Sequence, residues 1–169
     1  MSDPTPNLAY IALGANLGDR AGNIFQAVAK INATPGLRMR RISPLIDNDA
    51  VGGPPDSPPF LNGAAEIQAT ISPQELLARL LAIETELGRK RGSSAPGEIR
   101  PHGEPRLIDL DLLLYGSLQI DEPGLTLPHP RMHKRRFVLQ PLTKIAPKLI
   151  HPTLGKTIQT LLDELPPGA

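Results

Sequence analysis

The chain has 169 residues, with 18 Lys and Arg against 17 Asp and Glu, so its formal net charge is +1. Its length and its hydrophobic content of 40% predict one globular domain over residues 1–169, with flexible ends at 1–8 and 165–169. The absence of cysteine from the sequence excludes a disulfide scaffold, a thiol nucleophile and a cysteine-ligated metal site. The charges are balanced, and no apolar run approaches the roughly 20 residues of a membrane span. We therefore expect a cytoplasmic protein that binds neither nucleic acid nor membrane. We also expect a monomer, although neither the charge balance nor the composition sets the oligomeric state.

Apolar periodicity and turn residues predict alternating strands and helices in the first part of the chain. The predicted elements are a strand at 9–13, a helix at 20–33, a strand at 37–46, a loop at 47–59 and a strand at 60–70. The next helix is the clearest, because Ser72-Pro73-Gln74-Glu75 is a capping box with proline at the first helical position. Gly88 has the residue type that commonly ends a helix, so we expect this helix to stop there.

The second part of the chain completes a known strand order. It predicts a loop at 89–105, a strand at 107–115, a short strand at 118–120 that pairs with it, and helices at 136–145 and 156–165. The order β-α-β-β-α-β predicts an α/β (α+β) fold with a ferredoxin-like sheet, helices on its faces and a mostly helical C-terminal extension. Two loops longer than about 12 residues are uncommon in a compact domain and usually carry function.

Asp109 and Asp111 form the first candidate site. In a strand, residues i and i+2 point to the same face, here about 6.5–7 Å apart, while Ile108, Leu110, Leu112 and Leu114 would take the buried face. Two like charges at that spacing repel by about 2 kcal/mol at an effective dielectric near 20. A hard, oxygen-seeking cation such as Mg²⁺ would reverse the sign of this term. The alternative is a solvated outer face of an edge strand, which the aspartate pattern alone leaves open.

Basic residues are concentrated around the two aspartates. Nine of the eighteen lysines and arginines fall within residues 89–136, in one group from Arg89 to Arg106 and a second from Arg131 to Arg136. Arginine forks suit phosphate oxygens, and carboxylates that hold Mg²⁺ among arginines are the elements of phosphoryl transfer. The residues 89–91 could instead complement a helix C-terminus, but that does not explain the second group.

The glycine-rich phosphate motifs are absent, because residues 14–19 contain neither G-x-G-x-x-G nor a Gly-Lys-Ser/Thr sequence. Side chains and metal would therefore have to hold a nucleotide. Phe60 and Phe137 are two of only five Phe and Tyr residues, and each lies beside a candidate loop. Two rings and the Asn62 amide could bind a flat heterocycle, although an aromatic residue at a strand start more often belongs to a core.

Five segments in register give the chain a family resemblance. They are residues 9–19, 60–64, 106–116, 127–130 and 136–147, and they span most of the sequence. Together they resemble the 6-hydroxymethyl-7,8-dihydropterin pyrophosphokinases of folate biosynthesis. The resemblance implies a Mg²⁺-dependent enzyme that transfers pyrophosphate from ATP to the pterin hydroxymethyl oxygen and releases AMP. Its partners would be ATP and the pterin, with two Mg²⁺ ions as cofactors.

The resemblance also implies roles for individual residues. Asp109 and Asp111 match the metal-binding pair. The implied catalytic residues are Arg91, Arg106, Asp109 and Asp111. The implied pterin-binding residues are Val51, Phe60, Asn62 and Phe137. The implied ATP-binding residues are Arg89, Arg91, Arg106, Leu112, Thr126, His129 and Arg135. The two long loops would close over the site and exclude water.

Two loops depart from the family pattern. The second loop ends His102-Gly103-Glu104-Pro105-Arg106, where the family usually has Trp-Gly-Pro-Arg. The first runs from Ile46 through Asn48 to Gly52, where the family usually has Tyr-x-Thr-x-Pro-x-Gly. Two alternatives to the enzyme remain: a non-catalytic ferredoxin-like module that binds RNA or a ligand, and a degenerate family member that binds pterin but turns over poorly. An RNA-binding sheet needs exposed aromatic residues on its central strands, and residues 107–115 offer aspartates instead.

Overall fold

The computed structural model describes residues 7–48, 59–87 and 107–168. The strands are β1 Asn7–Ala15, β2 Leu37–Ile42, β3 Ile46–Asn48, β4 Phe60–Ala69, β5 Asp109–Tyr115, β6 Ile120–Glu122 and β7 Leu125–Leu127. The helices are α1 Arg20–Asn32, α2 Pro73–Leu87, α3 Arg136–Thr143 and α4 Ile158–Asp163, and a 3₁₀ turn covers Met132–Lys134. Most of the two predicted loops, at 49–58 and 89–105, lies outside the described residues.

The main sheet has five strands and is antiparallel throughout. Its order is β2-β4-β1-β5, with β3 also paired to β4, so the strands on either side of each crossover helix are separated by one strand. This is the order of the split β-α-β arrangement, and it confirms the predicted ferredoxin-like α+β fold.

The sheet is buried on both faces, each with its own apolar cluster. On one face, α1 and α2 supply Ile24, Ile31, Leu76 and Leu80, all fully buried, to a first cluster. On the other face, α3 and α4 form a second cluster around Tyr10, Ala64, Leu113, Leu114, Leu139, Leu142 and Ile158. The C-terminal extension is therefore a structural layer, because it covers the sheet face that α1 and α2 leave open.

The predicted strand at 37–46 is two strands. It breaks after Ile42 because Pro44 has no N–H to donate to a ladder, and pairing resumes at Ile46. Ser43 bridges the break: its N–H donates to the Ala64 carbonyl oxygen at 2.9 Å and its Oγ accepts from the Ala64 N–H at 2.8 Å. β3 also takes Asp47 and Asn48 out of the predicted loop and pairs them with β4.

Two predictions about β5 are wrong. A register shift against β1 separates Leu112 from Leu114, so Leu114 lies in the second cluster and not with Leu110 and Leu112 in the first. A bulge of this kind rotates the following side chains to the other face. The short strand near 118–120 does not pair with β5. Ile120 pairs with Leu127 in a separate two-stranded sheet of β6 and β7.

The start of α2 follows the predicted capping, and α1 has a cap that was not predicted. The Ser72 Oγ accepts from the Glu75 N–H at 3.1 Å, which is one half of the expected capping box. Asp19 caps α1 by accepting from the Gly22 N–H at 3.0 Å. At the chain start, Asn7 and Leu8 already belong to β1, inside the segment expected to be flexible. Among the helices described, none has the length and apolar character needed to cross a bilayer.

Candidate active site

A row of four residues across the sheet forms the floor of the site. Asn62 of β4 lies opposite Ile46 of β3 on one side and Gly14 of β1 on the other, and Gly14 in turn lies opposite Asp109 of β5. Side chains directly opposite in neighbouring strands point to the same face. The row thus brings an amide of the predicted ring pocket and a carboxylate of the predicted metal pair to the two sides of one glycine.

Gly14 is the point of closest approach in this row. A Cβ atom at this position would lie 3.0 Å from Asn62 Nδ2, 3.8 Å from the Phe60 ring and 4.0 Å from Asp109 Cβ. A methyl group would therefore crowd the Asn62 amide and occupy the space between the ring and the carboxylate. The absence of a side chain at Gly14 therefore lets the Asn62 amide lie close to β1 between the two halves of the site.

Asp109 and Asp111 share the face that the sequence predicts. Their side chains are half-buried and alternate with Leu110 and Leu112, which are buried in the first cluster. Asp109 is opposite Gly14 and Asp111 is opposite Ala12, with no register shift between these pairs. The two carboxylates therefore project on the same side of β5, toward the face that carries α3.

Glu84 of α2 is a third carboxyl group beside this pair, which the sequence analysis missed. Its Oε2 accepts from the Leu110 N–H at 2.7 Å, and its side chain is hydrogen-bonded to Asp109. Burial, together with the negative charge of Asp109, raises the pKa of Glu84 to about 8. The sequence does give one indication of this residue. Glu84 follows Leu80 by four residues and so falls on the apolar stripe of the helix, where a charged residue is unusual.

His129 projects toward the aspartates from a turn that is fastened to β5. Its backbone N–H donates to the Leu113 carbonyl oxygen at 2.9 Å, and the preceding Leu127–Pro128 peptide bond is cis. Its Nδ1 accepts from the Arg131 N–H at 3.1 Å. Burial, and then the positive charges of Arg135 and Arg131, lowers the pKa of His129 to about 4. At neutral pH the imidazole is therefore uncharged, and its proton resides on Nε2.

Arg135 and Phe137 enter the site from the start of α3. The Arg135 guanidinium lies over the Phe137 ring, 5.5 Å from its centroid. Burial lowers the pKa of Arg135, and the charges of Asp111 and Asp109 oppose this effect. The structure thus brings Arg135, His129 and the two aspartates together, as the resemblance implies.

The ring-pocket side of the site is built on β3 and β4. Phe60 and Asn62 are two residues apart on β4 and share a face, and Asn62 is 7% exposed. The Asn62 Oδ1 accepts from Asn48 Nδ2 at 3.1 Å. Arg20 links β3 to the residue before β4. Its Nη1 donates to Asp47 Oδ1 at 2.7 Å and to the Pro59 carbonyl oxygen at 2.9 Å.

Some predicted residues lie elsewhere or outside the description. The Leu112 side chain is buried in the first cluster, on the sheet face opposite to the aspartates, so only its backbone could reach a nucleotide there. Thr126 is exposed on β7, just before the turn that carries His129. The predicted residues Arg89, Arg91, Arg106 and Val51 fall outside the described residues.

The aspartate pair fits a divalent cation. Two half-buried carboxylates create a negative region, which also contributes to the raised pKa of Glu84, and a cation with oxygen ligands would neutralise it. Within residues 7–48, 59–87 and 107–168, no group of three or more acidic or histidine side chains is arranged to hold a metal. A cation at Asp109 and Asp111 would therefore complete its ligand set with water or substrate oxygens, as Mg²⁺ commonly does.

The fold and the site define a ferredoxin-like α+β protein with a carboxylate pair, an adjoining arginine and histidine, and a ring pocket on the same sheet face. Residues 10–147 match the family of 7,8-dihydro-6-hydroxymethylpterin-pyrophosphokinase (HPPK). The chain is 39% identical over 157 residues to the 2-amino-4-hydroxy-6-hydroxymethyldihydropteridine pyrophosphokinase of Synechocystis sp., covering 93% of this chain and 75% of that protein. It is 40% identical to the protein of the same name from Pseudomonas aeruginosa, covering 93% and 91%.

Longer proteins also contain this unit. The folic acid synthesis protein fol1 of Schizosaccharomyces pombe is 36% identical, but the chain spans only 20% of its length. The crystal structure of Plasmodium falciparum HPPK-DHPS with pteroate matches with a TM-score of 0.68 at 15% identity, covering 97% of this chain and 43% of that one. At that identity the structural likeness supports the fold alone.

The chain belongs to the HPPK family. This membership confirms the predicted pyrophosphokinase activity in folate biosynthesis, and it disfavours a non-catalytic binding module. Enzymes of this family act on ATP and hydroxymethyldihydropterin and typically use Mg²⁺.

Proposed function

We propose that this chain transfers the pyrophosphoryl group of ATP to the hydroxymethyl oxygen of 6-hydroxymethyl-7,8-dihydropterin and releases AMP, with the residues above in defined roles. The observation that carries the proposal is the row Asn62–Gly14–Asp109, which sets the ring pocket directly beside the carboxylate pair. A substrate whose ring lies against Asn62 can present its hydroxymethyl group toward Asp109 across the glycine. Proximity of this kind supplies much of the catalysis in phosphoryl transfer.

Asp109 and Asp111 would hold Mg²⁺, and the proposal includes two ions bound together with ATP. When bound, the metal would offset the charge of the phosphate oxygens. Glu84 would support the pair through its hydrogen bond to Asp109, while its bond to the Leu110 N–H keeps the edge of β5 in place. A cation bound by Asp109 and Asp111 would offset the repulsion between their charges.

Arg135 and His129 would bind the triphosphate. The Arg135 guanidinium supplies positive charge beside the aspartates, and its stacking on Phe137 restricts its position. The neutral His129 ring would donate to the triphosphate through Nε2. Its Nδ1 already accepts from the Arg131 N–H, so the ring proton is on Nε2. The loop residues Arg89, Arg91 and Arg106, the backbone of Leu112, and Thr126 would add further ATP contacts.

The reaction proceeds by displacement at the β-phosphorus. The substrate hydroxyl oxygen bonds to this phosphorus, the bond to the oxygen bridging the α- and β-phosphates breaks, and AMP leaves with that oxygen. The hydroxyl proton can pass to a carboxylate oxygen of Asp109. Phe60, Phe137 and the Val51 loop would enclose the ring, and Asn62 would hydrogen-bond its edge.

The experiment that tests this function is direct detection of AMP formed from ATP by the purified protein, with and without hydroxymethyldihydropterin and Mg²⁺. AMP release that requires both would support the proposal. AMP formation from ATP without pterin would contradict the proposal that the pterin is the pyrophosphoryl acceptor. Pterin binding without AMP formation would indicate a degenerate member of the family. Loss of product in the Asp109→Asn variant, with pterin binding retained, would support the separate roles of the two halves of the site.

The cytoplasmic location, the monomeric state and the single-domain organisation remain predictions. Sedimentation of the purified chain at several concentrations tests the monomer, and a concentration-dependent increase in mass would contradict it. Limited proteolysis tests the single-domain organisation. If the chain is one domain, proteolysis should release no fragment that stays folded on its own.

A further inference from the structure

The amide of Asn62 is held in one orientation by a second amide. Asn48 lies on the same face of β3 as Asn62 on β4, because its partner Phe60 is two residues before Asn62. The Asn48 Nδ2 group donates to Asn62 Oδ1 at 3.1 Å and to the Ile46 carbonyl oxygen at 3.3 Å. Both hydrogen atoms of this Nδ2 group are thereby used inside the protein.

This arrangement decides which end of the Asn62 amide faces the site. The Asn48 Nδ2 can only donate, so Asn62 must present its carbonyl oxygen to it. The Asn62 Nδ2 then points the other way, toward Gly14, where a Cβ would come within 3.0 Å of it. Asn62 is 7% exposed, so a ligand that covers this position would bury its Nδ2. A ligand with an acceptor there would pair with the donor, whereas a ligand without one would leave it buried and unpaired, which is costly.

We infer that Asn48 is a positioning residue that fixes Asn62 so that its N–H donor, and not its carbonyl oxygen, faces the ring pocket. This inference rests on the proposed function and deepens it. The pocket would select a flat heterocycle whose edge places a ring nitrogen or an oxo oxygen against Asn62. A ring that places an N–H group at that edge would meet a second donor and bind poorly.

The scaffold around Asn48 supports a fixed geometry. Arg20 bonds to Asp47, the residue before Asn48, and to the carbonyl oxygen of Pro59, the residue before Phe60. The ends of both strands are thus tied to the start of α1. Asn48 therefore has little freedom to move away from Asn62.

The test compares Asn48→Asp with Asn48→Thr. A carboxylate can only accept, so Asn62 in the Asp variant should rotate to donate to it and turn its own oxygen to the pocket. A threonine hydroxyl can still donate to Asn62 Oδ1. The affinity for hydroxymethylpterin should fall by about 10-fold or more in the Asp variant, corresponding to the mispaired hydrogen bond, and should stay close to the parent value in the Thr variant.

The measurements are calorimetric titrations with hydroxymethylpterin and, separately, with a non-hydrolysable ATP analogue in Mg²⁺. The inference expects the nucleotide affinity to change by less than about 2-fold in both variants. It is overturned if the Asp variant binds the pterin as the parent does, or if both affinities fall together, which would indicate a merely structural role. A parent protein that neither binds pterin nor forms AMP would instead refute the proposed function.

Discussion

Glu84→Gln tests whether the carboxyl groups beneath the site form one electrostatic unit. Glutamine keeps an oxygen for the Leu110 N–H and a donor for Asp109, but it cannot ionise. Burial and the charge of Asp109 raise the pKa of Glu84 from 4.5 to about 8, so the carboxyl group ionises less readily in the folded protein. In the unfolded chain Glu84 ionises near its usual pKa, and the difference destabilises the fold as the pH rises.

The magnitude follows from the two pKa values. The stabilising effect of the protonated carboxyl is fully present below pH 4.5 and is lost as the pH rises through about 8. Each pKa unit corresponds to about 1.4 kcal/mol. Between pH 4.5 and pH 7 the free energy of unfolding of the parent should therefore fall by about 3 kcal/mol relative to that of Glu84→Gln, and above pH 8 by at most about 5 kcal/mol.

Urea unfolding in the presence of a chelator, at intervals between pH 4.5 and 8.5, measures this difference. Glu75→Gln is the matched control, because Glu75 is on the same helix with an exposed side chain paired to Arg79. The control should follow the parent at every pH. Parallel curves for the parent and Glu84→Gln would refute the reasoning, since they would mean that Glu84 ionises as readily in the fold as in water.

Three further predictions address the site itself. Asp111→Asn should reduce kcat by about 100-fold or more, because a metal ligand and its charge are lost; AMP release within about 3-fold of the parent would remove Asp111 from the metal site. Gly14→Ala should weaken pterin binding by about 10-fold and leave nucleotide binding intact, since its methyl group would meet Asn62 Nδ2 at 3.0 Å; calorimetry with each ligand decides this. The neutral state of His129 stabilises the fold above pH 6.5, and this contribution is lost as the pH falls through about 4. His129→Gln should therefore lose less stability than the parent in urea titrations between pH 6.5 and 4, and identical losses would contradict it.

Periodicity and turn chemistry were sufficient to predict most of the elements. The apolar stripes of α1 and α2 and the Ser72 cap of α2 each depend on residues within a few positions of one another. The alternation of Asp109 and Asp111 with Leu110 and Leu112 likewise reflects the period of a strand, which is local. The β-α-β-β-α-β order then leaves few ways to arrange the sheet.

The bulge in β5 shows where local rules stop. Four leucines at positions 110, 112, 113 and 114 fit either face of a buried strand, so the sequence does not say where the alternation shifts. Pairing with β1 decides it, because Tyr10 lies opposite Leu114 while Ile11 lies opposite Leu112. Two apolar faces must both be filled, and only the packing of both helical layers specifies which leucine fills each.

The sequence by itself determined the candidate chemistry: an acidic pair, basic neighbours, and rare aromatic rings next to an asparagine. Only the tertiary structure placed Asn62, Gly14 and Asp109 side by side, because that row depends on the register of three strands far apart in the chain. It also brought Glu84 from a helix to the backbone of Leu110, a contact between residues 26 positions apart. Carboxyl groups interact through space, so their pKa values depend on distances that no single segment of the chain contains.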